Sequence, residues 1–161
     1  MTVVEADVGD VEVVRELRLA ALADAPDAFW RTHAEEADRP SAWWRDRLRA
    51  GERWLIAELD GTPCGLAALG VGHGGRHDRP HLASLWIAPA ARGRGVGDAL
   101  VRHVLTVARS EGAEAVTLEV GDANAPAIAL YRRHGFRPTG WTGRFLPPRE
   151  HLTEHELVRE L

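Results

Sequence analysis

The sequence predicts an α/β fold: one domain with a mixed sheet of about seven strands and about four flanking helices. Three observations carry that reading. Short β-branched runs alternate with helix-period runs in the order β-α-α-β-β-β-α-β-α-β-β. Asp60-Gly61 separates two apolar runs as a tight hairpin would. The stretch LWIAPAARGRGVGDAL, Leu85 to Leu100, passes from a strand pattern through closely spaced glycines into a helix pattern. A chain of 161 residues has the length of one domain and can bury a real core.

Each element has its own signal. Val3 to Ala6 reads as the first strand. Asp10 stands where it would cap an amphipathic helix through VEVVRELRLAALAD, with Val11, Val14, Leu17, Ala21 and Leu22 on one face. Pro26 breaks that helix. Ser41 stands where it would cap a shorter one, AWWRDRLRAG, which Gly51 ends. RWLIAEL and TPCGLAALGVG flank the Asp-Gly pair, which suits a type I′ turn. GHGGRHDRP reads as a glycine-rich loop and HLASLWI as the fourth strand. A helix follows to about Glu111. AVTLEV is a buried strand, NAPAIALYRRHG a capped helix, and FRPTGWTGRF and LTEHELVREL are closing strands.

Composition excludes several classes. A net charge of −4 without a basic run disfavours a nucleic-acid partner. No apolar stretch approaches a membrane span, and MTVVEADVGD lacks the layout of a signal peptide. The single cysteine, Cys64, precludes an internal disulfide and suits a reducing cytoplasm. It lies in an apolar strand with no evident activator, so it reads as core and not as a nucleophile. His73, His77 and His81 recur every fourth residue, a spacing that gathers side chains only on a helix. GHGGRHDRP suits no helix, so no metal site is expected.

Arg92-Gly93-Arg94-Gly95-Val96-Gly97 has the spacing R-x-x-G-x-G at a strand–helix junction. Unpaired N–H groups and the positive end of the macrodipole make such a junction an anion site. The dinucleotide fingerprint needs G-x-G-x-x-G near the first strand, and the P-loop of nucleoside triphosphatases needs a lysine. All 20 basic residues here are arginine, so the second reading fails. About thirty residues on, Asn124 opens a helix ending in Leu130-Tyr131, followed by Gly135-Phe136. Together the two motifs resemble the GNAT superfamily of acetyl-CoA-dependent N-acetyltransferases. RLAALADAPDAFW and GFRPTG extend the resemblance over nearly the whole chain.

The resemblance implies a sheet splayed between the fourth and fifth strands, with residues 1–161 forming a single N-acetyltransferase domain. It implies acetyl-CoA as cosubstrate and no metal. The pyrophosphate would lie on backbone N–H groups of Arg94, Gly95, Val96, Gly97 and Asp98 in the turn begun by Gly93, with Arg92 and Arg94 adding charge. The pantetheine arm would run along Leu85, Trp86 and Ile87 like an added strand, and Asn124 would cap its helix and contact the arm. Tyr131, the only tyrosine, matches the family's general acid for the departing thiolate. For the base, His81 stands where many relatives carry a glutamate at the start of the fourth strand, and neutral imidazole suits the task. Glu119, on the fifth strand, is the alternative, and either can act through a water.

Phe29, Trp30, Trp43 and Trp44 fall on segments that line the acceptor groove in relatives. Adjacent residues on a helix cannot share a face, so Trp44 and Trp43 do different jobs. With Asp27, Glu35 and Glu36 nearby, the aromatics suit a hydrophobic or cationic amine on a small molecule or a peptide. A noncatalytic coenzyme A sensor is the alternative function, and the Asn124–Tyr131 pair weighs against it. Family members are often dimers, so a homodimer fits the resemblance.

Overall fold

In the computed structural model, which describes residues 1–161 apart from the side chain of His73, seven strands form one mixed sheet. They are β1 (Thr2–Glu5), β2 (Arg53–Leu59), β3 (Thr62–Gly72), β4 (Arg76–Ile87), β5 (Ala115–Gly121), β6 (Arg137–Arg144) and β7 (Thr153–Glu160). The spatial order is β1-β2-β3-β4-β5-β7-β6. All neighbours are antiparallel except β4 and β5, which are parallel and share one register pair, His81 with Thr117. Beyond that pair the two strands part. The described helices are α1 (Val11–Asp24), α2 (His33–Ala37), α3 (Ser41–Arg49), α4 (Val96–Ser110) and α5 (Ala125–Arg133), one more than the sequence reading gives.

Each face of the sheet carries its own core. Leu100, Val101 and Val104 of α4 and Leu130 of α5 pack with Leu69, Leu82, Val116 and Leu118. On the other face Val14, Leu17, Ala21 and Leu22 of α1 pack with Trp54, Ile56, Leu66, Ala68 and Trp86. Leu82 and Trp86 belong to opposite cores although four residues apart in one strand. Strict alternation would put them on the same face. The cause is a bulge: Leu69 pairs with Leu82 and Ala68 with Ala83, but Leu66 pairs with Trp86. One extra residue enters β4, and Ser84 takes it up in the left-handed region at φ 57°.

Local chemistry explains most element ends. The Asp60-Gly61 loop has φ 52° and 78°, as a type I′ turn requires. Asn124 caps α5 by accepting from the Ala127 N–H at 3.3 Å. Two expected caps are corrected. Asp10 makes no cap bond to α1; its carboxylate reaches back to the Asp7 N–H at 3.0 Å, completing a capping box on the preceding turn. Ser41 is the first residue of α3, after Pro40, and its hydroxyl donates to Glu12 at 3.1 Å.

The stretch GHGGRHDRP is also corrected. Only His73–Gly75 form a turn, and β4 begins at Arg76, where Gly72 pairs across the hairpin. His81 is therefore the sixth residue of β4 and not its start. Helix α2 was absent from the sequence reading. Its box is Thr32 and Glu35, with the Glu35 N–H donating to Thr32 Oγ1 at 3.3 Å and the Thr32 N–H to Glu35 at 2.6 Å.

Candidate active site

Beyond the His81–Thr117 pair a cavity of about 550 Å³ lies along β4. Leu85, Trp86 and Ile87 form one wall, Asn124, Pro126, Ala127 and Leu130 of α5 another. Arg92, Gly93, Gly95, Val96, Gly97 and Asp98 close one end. Arg94 is exposed and is not among the lining residues. Phe29, read from sequence as an acceptor residue, lines this same cavity beside Asp24 and Ala28.

The glycine turn has two separate reasons for glycine. Gly95 is the N-cap of α4 at φ 80°, a conformation that side chains resist, and no side chain caps the helix. Gly97 has ordinary backbone, but a Cβ there would lie 3.0 Å from Leu130 Cδ2 and 3.4 Å from Ile87 Cδ1. The first N–H groups of α4 are thus left without a side-chain acceptor at the mouth of a cradle that one methyl would narrow. This suits the phosphates of an elongated ligand whose apolar arm lies along β4.

Arg92 and Asp98 at that end are already paired. The Arg92 guanidinium contacts the Asp24 carboxylate and donates to the Ile87 carbonyl at 3.1 Å. The Trp86 indole N–H, 2.9 Å from Asp24, and then the Arg92 contact hold the Asp24 carboxyl below its ordinary value against the opposing effect of burial. Burial also raises the Asp98 carboxyl, but bonds from His134 at 2.9 Å and Arg133 at 3.1 Å outweigh it, and the net shift is downward.

His81 and Glu119, alternatives in the sequence, form one unit. His81 Nε2 is 2.9 Å from Glu119 Oε2, and Nδ1 is 3.2 Å from Thr117 Oγ1. The register explains this: His81 pairs with Thr117, and Glu119 lies two residues on, on the same face of β5. Val116, Leu118 and Val120 face the other core. Glu119 and Glu156 pair across β5 and β7, and Glu154 follows opposite Gly121, so three carboxylates share the face of His81.

Trp30 reaches this face from the loop after α1. Its indole N–H lies 3.0 and 3.1 Å from the two oxygens of buried Glu154, and its ring packs on Phe145 at 5.5 Å. Arg149 ties the same loop down by donating to the carbonyls of Pro26 at 2.8 Å, Phe29 at 2.7 Å and Trp30 at 2.5 Å. Nothing in the sequence singled out Glu154 or Arg149, because both act across more than a hundred residues.

Trp44 stands elsewhere. At 1% exposure it fills the interior edge-on to Trp43 and cannot face an acceptor as the sequence reading expects. Tyr131 is 6% exposed, packs edge-on to Phe136 at 5.8 Å, and is not among the residues lining the cavity, although Leu130 beside it is. Burial raises its phenol well above the ordinary value. Cys64 is buried in the α4-side core, and burial raises its thiol. The His73 side chain, part of the four-residue histidine spacing, lies outside the described residues; among these no three His, Cys, Asp or Glu side chains gather as a metal site.

A parallel pair split beside an uncapped helix N-terminus defines an α/β protein that can seat an elongated anionic ligand between β4 and α5. The sequence model of the Acetyltransferase (GNAT) family matches residues 17–136, and the chain belongs to that family. It is 43% identical over 77 residues to streptothricin acetyltransferase of Streptomyces lavendulae, covering 48% of this chain and 40% of that protein. It is 34% identical over 95 residues to an IAA acetyltransferase of Azospirillum brasilense, covering 59% and 61%. A third relative, the peptidyl-lysine N-acetyltransferase YjaB of Salmonella typhimurium, is 38% identical over 60 residues, covering 37% and 38%. The matched regions thus span about two fifths to three fifths of these relatives. Among solved structures, yncA of Salmonella typhimurium with its cofactor acetyl-CoA superposes at a TM-score of 0.82, with 24% identity, covering 100% of this chain and 94% of that one. A GCN5-related N-acetyltransferase of Kribbella flavida superposes at 0.79, with 25% identity, covering 99% and 97%. No described helix is long and apolar enough to cross a membrane.

Proposed function

We propose that residues 1–161 act as one N-acetyltransferase domain, moving the acetyl group of acetyl-CoA to a primary amine by direct attack in a ternary complex. One observation carries this: an uncapped, glycine-lined helix N-terminus closes one end of the cavity along β4, and the His81–Glu119 pair, itself outside the cavity lining, lies where that strand meets β5. Acetyl-CoA supplies the acyl group as a thioester. The N–H groups of Val96, Gly97 and Asp98 hold its phosphates, with Arg92 adding charge and Arg94 acting from the rim, while the backbone of Leu85, Trp86 and Ile87 and the Asn124 side chain align its arm.

An amine with a lysine-like pKa of about 10 arrives protonated and must lose a proton to attack. His81 takes that proton, oriented and electrostatically supported by Glu119. Tyr131, kept protonated by burial, donates a hydrogen bond to the departing sulfur. Glu119, Glu154 and Glu156 share the His81 face, and Trp30 covers Glu154, an environment that suits a cationic amine. The names of the relatives span small molecules and peptidyl lysine, and the acceptor here belongs to one of these classes. A buried, unpaired Cys64 suits a reducing cytoplasm. A homodimer, which the family admits, is read by light scattering.

Calorimetry with acetyl-CoA and thiol release against an amine panel test the reading. Binding at micromolar or tighter affinity with amine-dependent thiol release is expected. Binding without release from any amine would favour a noncatalytic coenzyme sensor, a reading that the position of Tyr131 off the cavity lining supports. Absence of binding would refute both.

A further inference from the structure

Arg18 interrupts the apolar stripe of α1. Val14 and Leu22 lie four residues to either side on the same face, and Arg18 is buried with them at 5% exposure. Its guanidinium lies 5.0 Å from the centre of the Phe29 ring. Nε and Nη2 each donate at 3.1 Å to a different oxygen of Glu36, which is itself fully buried on α2. The remaining nitrogen, Nη1, donates to Ser84 Oγ at 3.2 Å.

A buried ion pair of this kind is a poor source of stability, since apolar residues of the same volume avoid its desolvation cost. What the pair delivers is a rigid donor aimed at one residue of β4. That residue is the bulge. Ser84 holds φ 57°, a conformation that a non-glycine residue resists unless its surroundings hold it there. Before it, His81 turns to Thr117 and Glu119; after it, Leu85, Trp86 and Ile87 line the cavity. Without the extra residue, every side chain beyond it would move to the opposite face.

We propose that Arg18, fixed by Glu36, is a positioning residue for acetyl transfer: it holds Ser84 in the bulge and so sets the phase of β4 between His81 and the coenzyme-facing segment. The inference rests on the acetyltransferase reading for its ligand. It links the acceptor-side helices α1 and α2 to the strand that carries the arm, through a residue that does not itself line the cavity.

Ser84→Ala tests the link without exposing Glu36, because the Arg18–Glu36 pair stays whole. Arg18→Lys keeps the charge and loses the three-way fork. Two measurements are made on each folded variant. Amide exchange at residues 84–87 should quicken about tenfold, the scale of one charge-assisted bond, while α4 amides keep their wild-type rates. Acetyl-CoA should bind about tenfold more weakly, while a coenzyme fragment lacking the pantetheine arm binds as to wild type; a general loss of stability would not separate the two ligands. Unchanged exchange at 84–87 with unchanged acetyl-CoA affinity would overturn the proposal, as would equal weakening of both ligands. If the wild-type chain binds no acetyl-CoA, the coenzyme reading falls with that result, and the exchange arm alone decides whether Arg18 holds the bulge.

Discussion

Replacing Gly97 with alanine adds one methyl group at the point where α4, β4 and α5 converge. The new Cβ would sit 3.0 Å from Leu130 Cδ2 and 3.4 Å from Ile87 Cδ1, so Leu130 must yield by a few tenths of an ångström. Overpacking by one methyl against a side chain that can move costs about 1 kcal/mol, the low end of the usual range. Alanine recovers up to ~1 kcal/mol of helix propensity, less near a helix start. The two nearly cancel. At roughly 2–4 °C per kcal/mol for a chain of this size, the melting temperature should stay within about 3 °C of wild type. Function should not stay put, because Leu130 lines the cavity and yields into it. A displacement costing about 1–2 kcal/mol of ligand contact weakens acetyl-CoA binding roughly fivefold to thirtyfold. Calorimetry with acetyl-CoA and a thermal melt on one preparation read both quantities. A melting temperature lowered by more than about 8 °C with undiminished affinity would show that Gly97 serves helix packing alone.

Tyr131→Phe should keep acetyl-CoA affinity and lower turnover by about a hundredfold, the low end for general-acid assistance; wild-type turnover with chemistry limiting would reduce the phenol to a packing group. His81→Gln and Glu119→Gln should each slow transfer by about ten- to a hundredfold, and the double variant should be little slower than the worse single; multiplication of the two losses would refute a shared role. Asp24 has a lowered carboxyl through Trp86 and Arg92, so its stabilisation is present above the ordinary carboxylate range and is lost as pH falls through the lowered value. Urea midpoints against pH should therefore fall less steeply on the acid side for Asp24→Asn, and identical slopes would refute the linkage. Burial raises the Cys64 thiol, so a maleimide should label the folded chain slowly and the urea-unfolded chain with one equivalent; fast labelling of the native chain would contradict a core role.

What the sequence disclosed depended on the range of the interaction. The Asp60-Gly61 turn and the Asn124 cap are settled within four residues, and both were legible. The strand from Arg76 was not, because pairing with β3 overrides glycine-rich local chemistry. Thr32 and Glu35 spell a capping box, but a helix of five residues has no period to reveal it. The His81–Glu119 contact depends on the register of two strands 36 residues apart, so the sequence offered two rival bases where the fold makes one pair. The same is true of Arg18, although a charged residue inside an otherwise apolar helical stripe was a signal available to be read. Trp30 and Trp44 show the limit of composition: both are aromatic in the acceptor-side region, yet one is 51% exposed and the other 1%.

The lone register pair between β4 and β5 has a mechanical consequence. Four strands lie on one side of that seam and three on the other, joined by the His81–Thr117 pair and, before it, by the Glu114 N–H donating to the Asp78 carbonyl at 2.8 Å. A seam fastened at one end is compliant at the other, where no register pair follows His81–Thr117 among the described residues. A ligand bonded to β4 on one wall and to the start of α5 on the other acts there as a tie rod. Through mass action its binding stabilises the folded chain by about 2.7 kcal/mol when it is present at a hundred times its dissociation constant, while the contacts that tie the walls lie along the cavity alone.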